Sequence, residues 1–526
     1  MTAPRRDLVL VALCSAFLLT VTLVSPFGRD QGNYAYAAWA WEEGAALYRD
    51  VYVFKPPGTV LVHALALTLF GHSMTAIRLL DVIWEVATAL LITASARRLG
   101  EDRLTSVLAG LLYTFLYAQQ SYWTTSQTDG WMCLPAALAV YAGVRARGAS
   151  TGGARVWSVA AGMALGLAIP MKYTAGAAVL PVLPLLFWGR PSRAGLVHLV
   201  LFGVGLAVVV LACGAWLWAS GAWPAFLECQ SGLVSSYVDV TRRFGPIEGS
   251  WQVVKNLFTN GGMRLVGPWV FVGAVVLLAR RVPDRGLRAS VPLLWFMAGF
   301  VSCVSQGKLF VYHHLFLFPG LAWVAAAPIA ALCGLVGRRL PWVWSRPLVA
   351  LGAASLVVSA SRLPGEFKHM YAVAGGGETL DHQWRHDRGY RNSSFSLADD
   401  LALADRLRKT TGPEDRVFLW GFEPLVNFVA ERQTVSRFLY NYPFAASWGN
   451  PAYERELLEA LTSAPPAVFV VSSGDATSHV TGNKDDSRAL FEKFAALRAF
   501  VEQRYGPPEK LRRFDVYVRL DRTPDG

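Results

Sequence analysis

Charge is scarce in this sequence: of 526 residues only 16% are Asp, Glu, Lys or Arg, while 53% are hydrophobic. A soluble domain carries about 25% charged residues, and the mean hydropathy here is positive, at +0.34. An ordinary soluble enzyme is therefore excluded. Cysteine is also sparse. The six residues Cys14, Cys133, Cys213, Cys229, Cys303 and Cys333 lie mostly inside apolar runs, with no CxxC pair and no metal-ligand spacing. That argues against a disulfide framework or a zinc site and leaves them as packing residues. No internal repeat or low-complexity tract is present, which disfavours a transporter built from repeated halves. Lysine is almost missing from the arginine-rich loops, a usage that fits a bacterial, GC-rich coding sequence.

What is abundant is apolar sequence punctuated by arginine. The clusters are Arg5 and Arg6; Arg97, Arg98 and Arg103; Arg145, Arg147 and Arg155; Arg190 and Arg193; Arg280, Arg281, Arg285 and Arg288; and Arg338, Arg339 and Arg346. The net charge of +12 therefore reflects where the arginines sit and does not point to a nucleic-acid partner. If every cluster is cytoplasmic, the apolar segments between them come in pairs. This gives about eleven spans: 8–27, 78–96, 104–122, 131–145, 156–171, 174–189, 195–218, 265–280, 288–305, 311–336 and 345–361. The first follows too few charges, and lacks the cleavage site, to be a removed signal peptide. The N-terminus is then inside and the C-terminus outside. Segment 58–71 is apolar but short, and counting it as a span would put the Arg97 cluster on the wrong face. It reads as an interfacial or re-entrant helix in a long external loop, 28–77. Further external regions are 221–264 and the turn 306–314. From 363 onward charge rises, the glycines of 374–377 suggest a linker, and strand-like runs (416–420, 467–472, 514–520) alternate with helical ones (396–409, 453–462, 487–504). The expected architecture is an all-α polytopic membrane domain, 1–362, followed by an extracytoplasmic α/β domain, 363–526.

Several polar residues fall at the outer ends of spans. Asp30 stands just beyond the first span, where a carboxylate can act as general base toward an acceptor hydroxyl; on residue physics alone it more simply caps the helix 31–43. Lys55, before Pro56-Pro57, can hold a phosphate or snorkel to a lipid headgroup. Asp129 suits sugar hydroxyls or caps its loop. Lys172 marks either a phosphate group's partner or the outer interface. His313 and His314 are adjacent, so at most one of them faces a site. Within a span, Arg78, Asp81 and Glu85 follow at one-turn spacing, and an Arg78–Asp81 pair gives a structural account of two of them.

The order DQGxYxY (30–36), LYRD (47–50), KPPG (55–58) and a short apolar helix ending LFG (69–71), with Arg78 opening the next span, resembles the first-loop signature of the polyprenyl-phosphate-dependent glycosyltransferases of the GT-C fold. The nearest branch includes the rhizobial lipopolysaccharide galacturonic acid transferases; protein mannosyltransferases and the lipid A aminoarabinose transferase are more distant. The resemblance runs from about 8 to 339. It implies a membrane enzyme that moves a hexosyl or pentosyl group from a polyprenyl-phosphate carrier to an extracytoplasmic glycan, lipid or protein, with inversion. It implies Asp30 as catalytic base, Lys55 as phosphate ligand, and Asp129, Lys172, Arg243, Lys308, Tyr312 and His313 as further substrate-binding groups. Relatives often carry Asp-Glu where this chain has Asp30-Gln31, so no metal and no other cofactor is assigned. The stretch with Arg437, Phe438 and Trp448 also recurs in relatives and reads as scaffold before it reads as an acceptor surface. The expected location is a bacterial cytoplasmic membrane with the C-terminal domain outside, and a polytopic transporter or lipid flippase is the competing class.

Overall fold

The computed structural model describes residues 3–233, 237–238, 241–280, 284–339, 352, 358–447 and 449–522. Arg281, Arg346, Trp448 and most of the expected span 345–361 lie outside them. Every other expected span contains a helix. Examples are Ala3–Leu19, Met74–Arg98, Arg103–Ala118, Cys133–Arg147, Thr151–Ala168 and Ser192–Ala219. Among the described residues, four helices are long and apolar enough to cross a membrane unaided: Met74–Arg98, Ser192–Ala219, Arg285–Ser305 and Val311–Val336. A fifth span results if Pro246–Thr259 and Met263–Ala279, which meet at 85°, count as one. The count of eleven thus exceeds what length and hydropathy alone support. The reason is geometric: a helix such as Cys133–Arg147, with 15 residues, rises about 22 Å, short of a hydrocarbon core of about 30 Å.

The chain folds into two compact units that do not follow chain order. One comprises 1–25, 78–214 and 243–375; the other comprises 26–77, 215–242 and 376–526. The first is the helical bundle. Its interior carries large apolar side chains, among them Trp131, Trp295 and Trp323, all fully buried. Glycines let its helices approach closely: an added Cβ on Gly162 would meet the Phe202 carbonyl oxygen at 1.9 Å, and one on Gly273 the Val324 carbonyl oxygen at 2.2 Å.

The second unit gathers the first loop, part of the second loop and the C-terminal segment, with the change of unit after Gly375. Its sheet has strands β1 (Val417–Trp420), β2 (Val468–Ser472), β3 (Glu509–Leu511) and β4 (Phe514–Val518) in the order β1-β2-β4-β3. The β1–β2 pair is parallel, and the pairs involving β4 are antiparallel. β1 and β2 are buried throughout, as expected for continuous apolar strands covered on both faces. Helix Leu397–Thr410 packs Leu403 and Leu407 onto Val417, Val468, Val470 and Phe514. Three strands match the sequence pattern. The edge strand β3 was not anticipated, because three residues reading Glu-Lys-Leu carry no apolar alternation.

Helix Gly58–Phe70 has 13 residues, too few to span. Both of its flanks touch the C-terminal segment: Tyr52 N–H donates to the Arg437 carbonyl at 2.7 Å, and His72 Nε2 lies 3.0 Å from the Phe428 carbonyl.

Candidate active site

In the helical unit the polar residues converge on two loops. Asp129 sits in the first turn of the short helix Thr128–Trp131 and is fully buried. Lys172 Nζ donates to its Oδ2 at 2.6 Å, and Gln306 Nε2 lies 3.3 Å from its Oδ1. The two residues form one buried ion pair across the bundle. A carboxylate and an ammonium at that depth require each other, since either alone would be an uncompensated buried charge. Lys172 also lies 5.8 Å above the Tyr312 ring, whose edge meets His313 at 4.8 Å between centroids.

The second loop is the turn that follows Arg285–Ser305. Gly307 (φ +65°) and Leu309 (φ +51°) fold it back, and the Gly307 carbonyl accepts from the backbone N–H groups of Arg243 and Phe244 at 2.8 and 3.0 Å. Arg243 thereby docks beside the turn, its guanidinium 5.7 Å from the Phe310 ring. Lys308 is buried within the turn. Asp129, Lys172, Arg243, Lys308, Tyr312 and His313 are thus brought into one neighbourhood. His314 is buried next to it, with Nε2 3.0 Å from Asn256 Nδ2 and Nδ1 3.2 Å from the Val311 carbonyl.

A buried network holds the loop that carries Asp129. Arg78 donates to Thr125 Oγ1 (2.6 Å), Ser126 Oγ (2.9 Å), the Tyr122 carbonyl (2.8 Å) and the Ser25 carbonyl (3.2 Å). Asp81 accepts from Tyr117 Oη at 2.9 Å and from Ser126 Oγ at 2.9 Å. Arg78 and Asp81 are therefore joined through the Ser126 hydroxyl. Ser126 itself has φ +53°, a left-handed conformation that costs a non-glycine residue about 1–3 kcal/mol unless its surroundings impose it. Three side chains impose it here, since Tyr117 Oη also accepts from the Ser126 N–H at 3.0 Å. Glu85 accepts from the Tyr113 hydroxyl in the same interior. The sequence flagged Arg78, Asp81 and Glu85; the roles of Ser126 and Tyr117 emerge only from tertiary structure.

Asp30 and Lys55 belong to the other unit. Helix Arg29–Glu42 starts after Gly28, and Gln31 Oε1 accepts from the Gly28 N–H at 3.2 Å. Asp30, one position earlier, stands in the first turn of this helix, near its positive end. It lies near the phenols of Tyr440 and Tyr442. Burial first, and the Asp30 charge among lesser causes, pushes both phenols above the usual tyrosine range. Gly32 is the close-packing point of this helix, for an added Cβ would lie 2.8 Å from Leu425 Cβ and 2.9 Å from its backbone.

Next to Asp30, the Arg29 guanidinium is buried against Glu423 at 2.6 Å; Arg513 binds the same Glu423 oxygen at 2.6 Å and Asp400 Oδ1 at 2.9 Å. Burial, then the neighbouring Glu423 charge, raises the Asp400 carboxyl well above the ordinary aspartate range in spite of Arg513. This network was invisible in the sequence, where Asp400, Glu423 and Arg513 look like unrelated charges of a polar segment.

Lys55 follows a tight turn. Tyr48 (φ +68°) pairs its N–H with the Val51 carbonyl at 2.8 Å and its hydroxyl with the Lys55 carbonyl at 2.8 Å. The LYRD motif is therefore the brace that sets the backbone of Lys55. Arg437 binds Glu456 at 2.6 Å and Glu228 at 3.3 Å. Among the described residues no three His, Cys, Asp or Glu side chains converge as a metal site would require.

The sequence matches the family model described as dolichyl-phosphate-mannose-protein mannosyltransferase over residues 54–218. No protein with a curated description matches it. Among solved structures, the chain is similar to ArnT from Cupriavidus metallidurans bound to undecaprenyl phosphate, with a TM-score of 0.60 at 16% identity, covering 98% of both chains. It is also similar to the Archaeoglobus fulgidus oligosaccharyltransferase in the apo form, with a TM-score of 0.53 at 14% identity over 96% of this chain and 73% of that one. A third match is AglB from the same organism in complex with an inhibitory peptide and a dolichol-phosphate, with a TM-score of 0.50 at 12% identity, covering 99% and 74%. At these identities the likeness establishes the fold, and the resemblance read from the first-loop motifs stands.

Proposed function

We propose, for a chain that has the GT-C fold and over 54–218 the pattern of the mannosyltransferase family, that it is a membrane glycosyltransferase using a polyprenyl-phosphate sugar as donor. The acceptor is a hydroxyl on an extracytoplasmic glycan, lipid or protein. In the reaction, the acceptor oxygen attacks the anomeric carbon from the face opposite the carrier, the bond from that carbon to the phosphate oxygen breaks with inversion, and polyprenyl phosphate leaves. Asp30 takes the acceptor proton as general base, a contribution of about 10²–10⁴ in rate. The leaving phosphate gains charge, which cations stabilise; Lys55, Arg243 and Lys308 are assigned this role. Asp129, fixed by Lys172, is assigned to sugar or acceptor hydroxyls, with Tyr312 and His313 beside it. No metal is assigned.

The observation that carries this reading is the place of Asp30 within the first-loop motif, in the first turn of Arg29–Glu42 and beside the phenols of Tyr440 and Tyr442. The solved relatives whose complexes contain undecaprenyl phosphate and dolichol-phosphate support the donor class. The proposed setting is a bacterial cytoplasmic membrane, with the C-terminal segment on the outer side.

A transferase and a flippase differ in bond chemistry. Membranes containing the protein, supplied with polyprenyl phosphate bearing labelled sugar, should move the label to an acceptor fraction and accumulate unglycosylated polyprenyl phosphate. Carrier that changes leaflet with its sugar still attached would favour the flippase instead.

A further inference from the structure

A second charged site lies in the helical unit, away from the residues assigned above. A cavity of about 580 Å³ is lined by Arg98, Arg145, Arg147 and Arg288, with Asp284, Gly100 and Gly148 beside them. Arg98, Arg145 and Arg147 lie in the last turns of Met74–Arg98 and Cys133–Arg147. Arginines there are ordinary partners for the negative ends of helix dipoles, and that accounts for three of the four. Arg288 is different. It lies in the first turn of Arg285–Ser305, which has no acidic residue in that turn, so its charge sits at the helix end where a cation is unfavourable.

The guanidinium groups are held mainly by uncharged partners. Arg288 donates to the Gly100 carbonyl at 3.1 Å. Arg147 donates to the Trp188 carbonyl. Arg145 donates to Tyr141 Oη at 3.3 Å and lies 4.4 Å above the Trp157 ring; Arg98 lies 5.8 Å from the Tyr141 ring. Among the described residues none of the four is in an ion pair within 4.0 Å; Glu101, close enough to Arg288 for their charges to interact, is itself bound by Arg280 at 2.5 Å. Gly100, at φ +87°, is shaped for this arrangement, because a Cβ there would meet Arg288 Nη2 at 2.5 Å. Four guanidinium groups thus converge on one concavity against a single lining carboxylate, Asp284. Such convergence raises the free energy of the empty site and focuses positive potential into it.

We propose that this cavity binds a phosphate anion through bidentate arginine contacts, the ligand being an anionic lipid headgroup or a soluble phosphate. Phosphate oxygens match the guanidinium fork in geometry and charge, and basic pockets between membrane helices suit phospholipid headgroups. The proposal does not depend on the transferase reading.

The test uses the full chain purified in detergent, with two probes: phosphatidylglycerol, counted by native mass spectrometry, and inorganic phosphate, titrated by isothermal calorimetry. Arg145→Gln/Arg288→Gln should weaken binding of one probe at least about tenfold, the loss expected for two charged hydrogen-bonding groups. Loss confined to phosphatidylglycerol identifies a headgroup site, and loss confined to inorganic phosphate identifies a soluble anion. If the double glutamine variant fails to fold, Arg145→Lys/Arg288→Lys keeps the charge, removes the fork and should still weaken binding measurably. Equal binding of both probes by wild type and a folded variant would overturn the proposal, as would absence of binding by the wild type.

Discussion

At the scale of single residues, the most informative pair is Asp129 and Lys172. The sequence marked both as outer-end polar groups, yet nothing in a separation of 43 positions shows that they bond at 2.6 Å. Removing one charge from such a pair costs about 3–5 kcal/mol, while replacing both with neutral groups of similar size is close to neutral. Asp129→Asn should therefore lower both the thermal midpoint and sugar transfer. Asp129→Asn/Lys172→Met should recover most of the midpoint but not the transfer. A double variant that regains activity with its stability would show the pair to be purely structural. Asp400 makes a prediction about pH. Its carboxyl is raised in the folded state, so the native chain holds that proton more tightly than the unfolded one. Its contribution to stability is complete below the unfolded value of about 3.9 and is lost as pH rises through the folded value. Asp400→Asn mimics the protonated form at every pH, so its thermal midpoint should gain on the wild type progressively from acid to alkaline buffer. Parallel curves for the two proteins would refute the assignment.

At the scale of elements, the structure changes what the first-loop helix means. The apolar and turn signals placed it correctly to within two residues, but its cap could not be assigned from the sequence. Gly28, Asp30 and Gln31 are all plausible at a helix start, and the hydrogen bond from Gly28 N–H to Gln31 Oε1 is visible only in the structure. The loop that carries Asp129 is the second such element. Its strained Ser126 is held by Arg78, Asp81 and Tyr117, residues whose one-turn spacing suggested only a pair along one helix. Asp81→Asn keeps the side-chain shape but can no longer accept fully from both hydroxyls. Amide hydrogen exchange across 122–131 should rise at least about tenfold, equivalent to about 1.4 kcal/mol of local opening, with little change in the C-terminal sheet. Unchanged exchange in that loop would mean that the network does not position Asp129.

At the scale of the whole molecule, charge placement and hydropathy disclosed a polytopic membrane chain, and alternating strand and helix patterns disclosed the C-terminal α/β segment. What they could not disclose is that residues 26–77 and 215–242 fold with that segment as one unit, because those contacts join positions hundreds of residues apart. Both flanks of Gly58–Phe70 touch the C-terminal segment, and the orientation proposed above puts that helix on the outer side of the membrane. A single cysteine placed at Leu69, which is exposed, should react with a membrane-impermeant thiol reagent added outside intact cells; reaction only after the inner face is opened would reverse the proposed orientation.

The central claim is that Asp30 is the base of a lipid-linked sugar transfer. Its most direct test is transfer from labelled polyprenyl-phosphate sugar by membranes containing Asp30→Asn. Transfer should fall at least about 100-fold, the lower end of a general-base contribution, with expression and the thermal midpoint maintained. Full transfer by a well-folded Asp30→Asn protein would contradict the account.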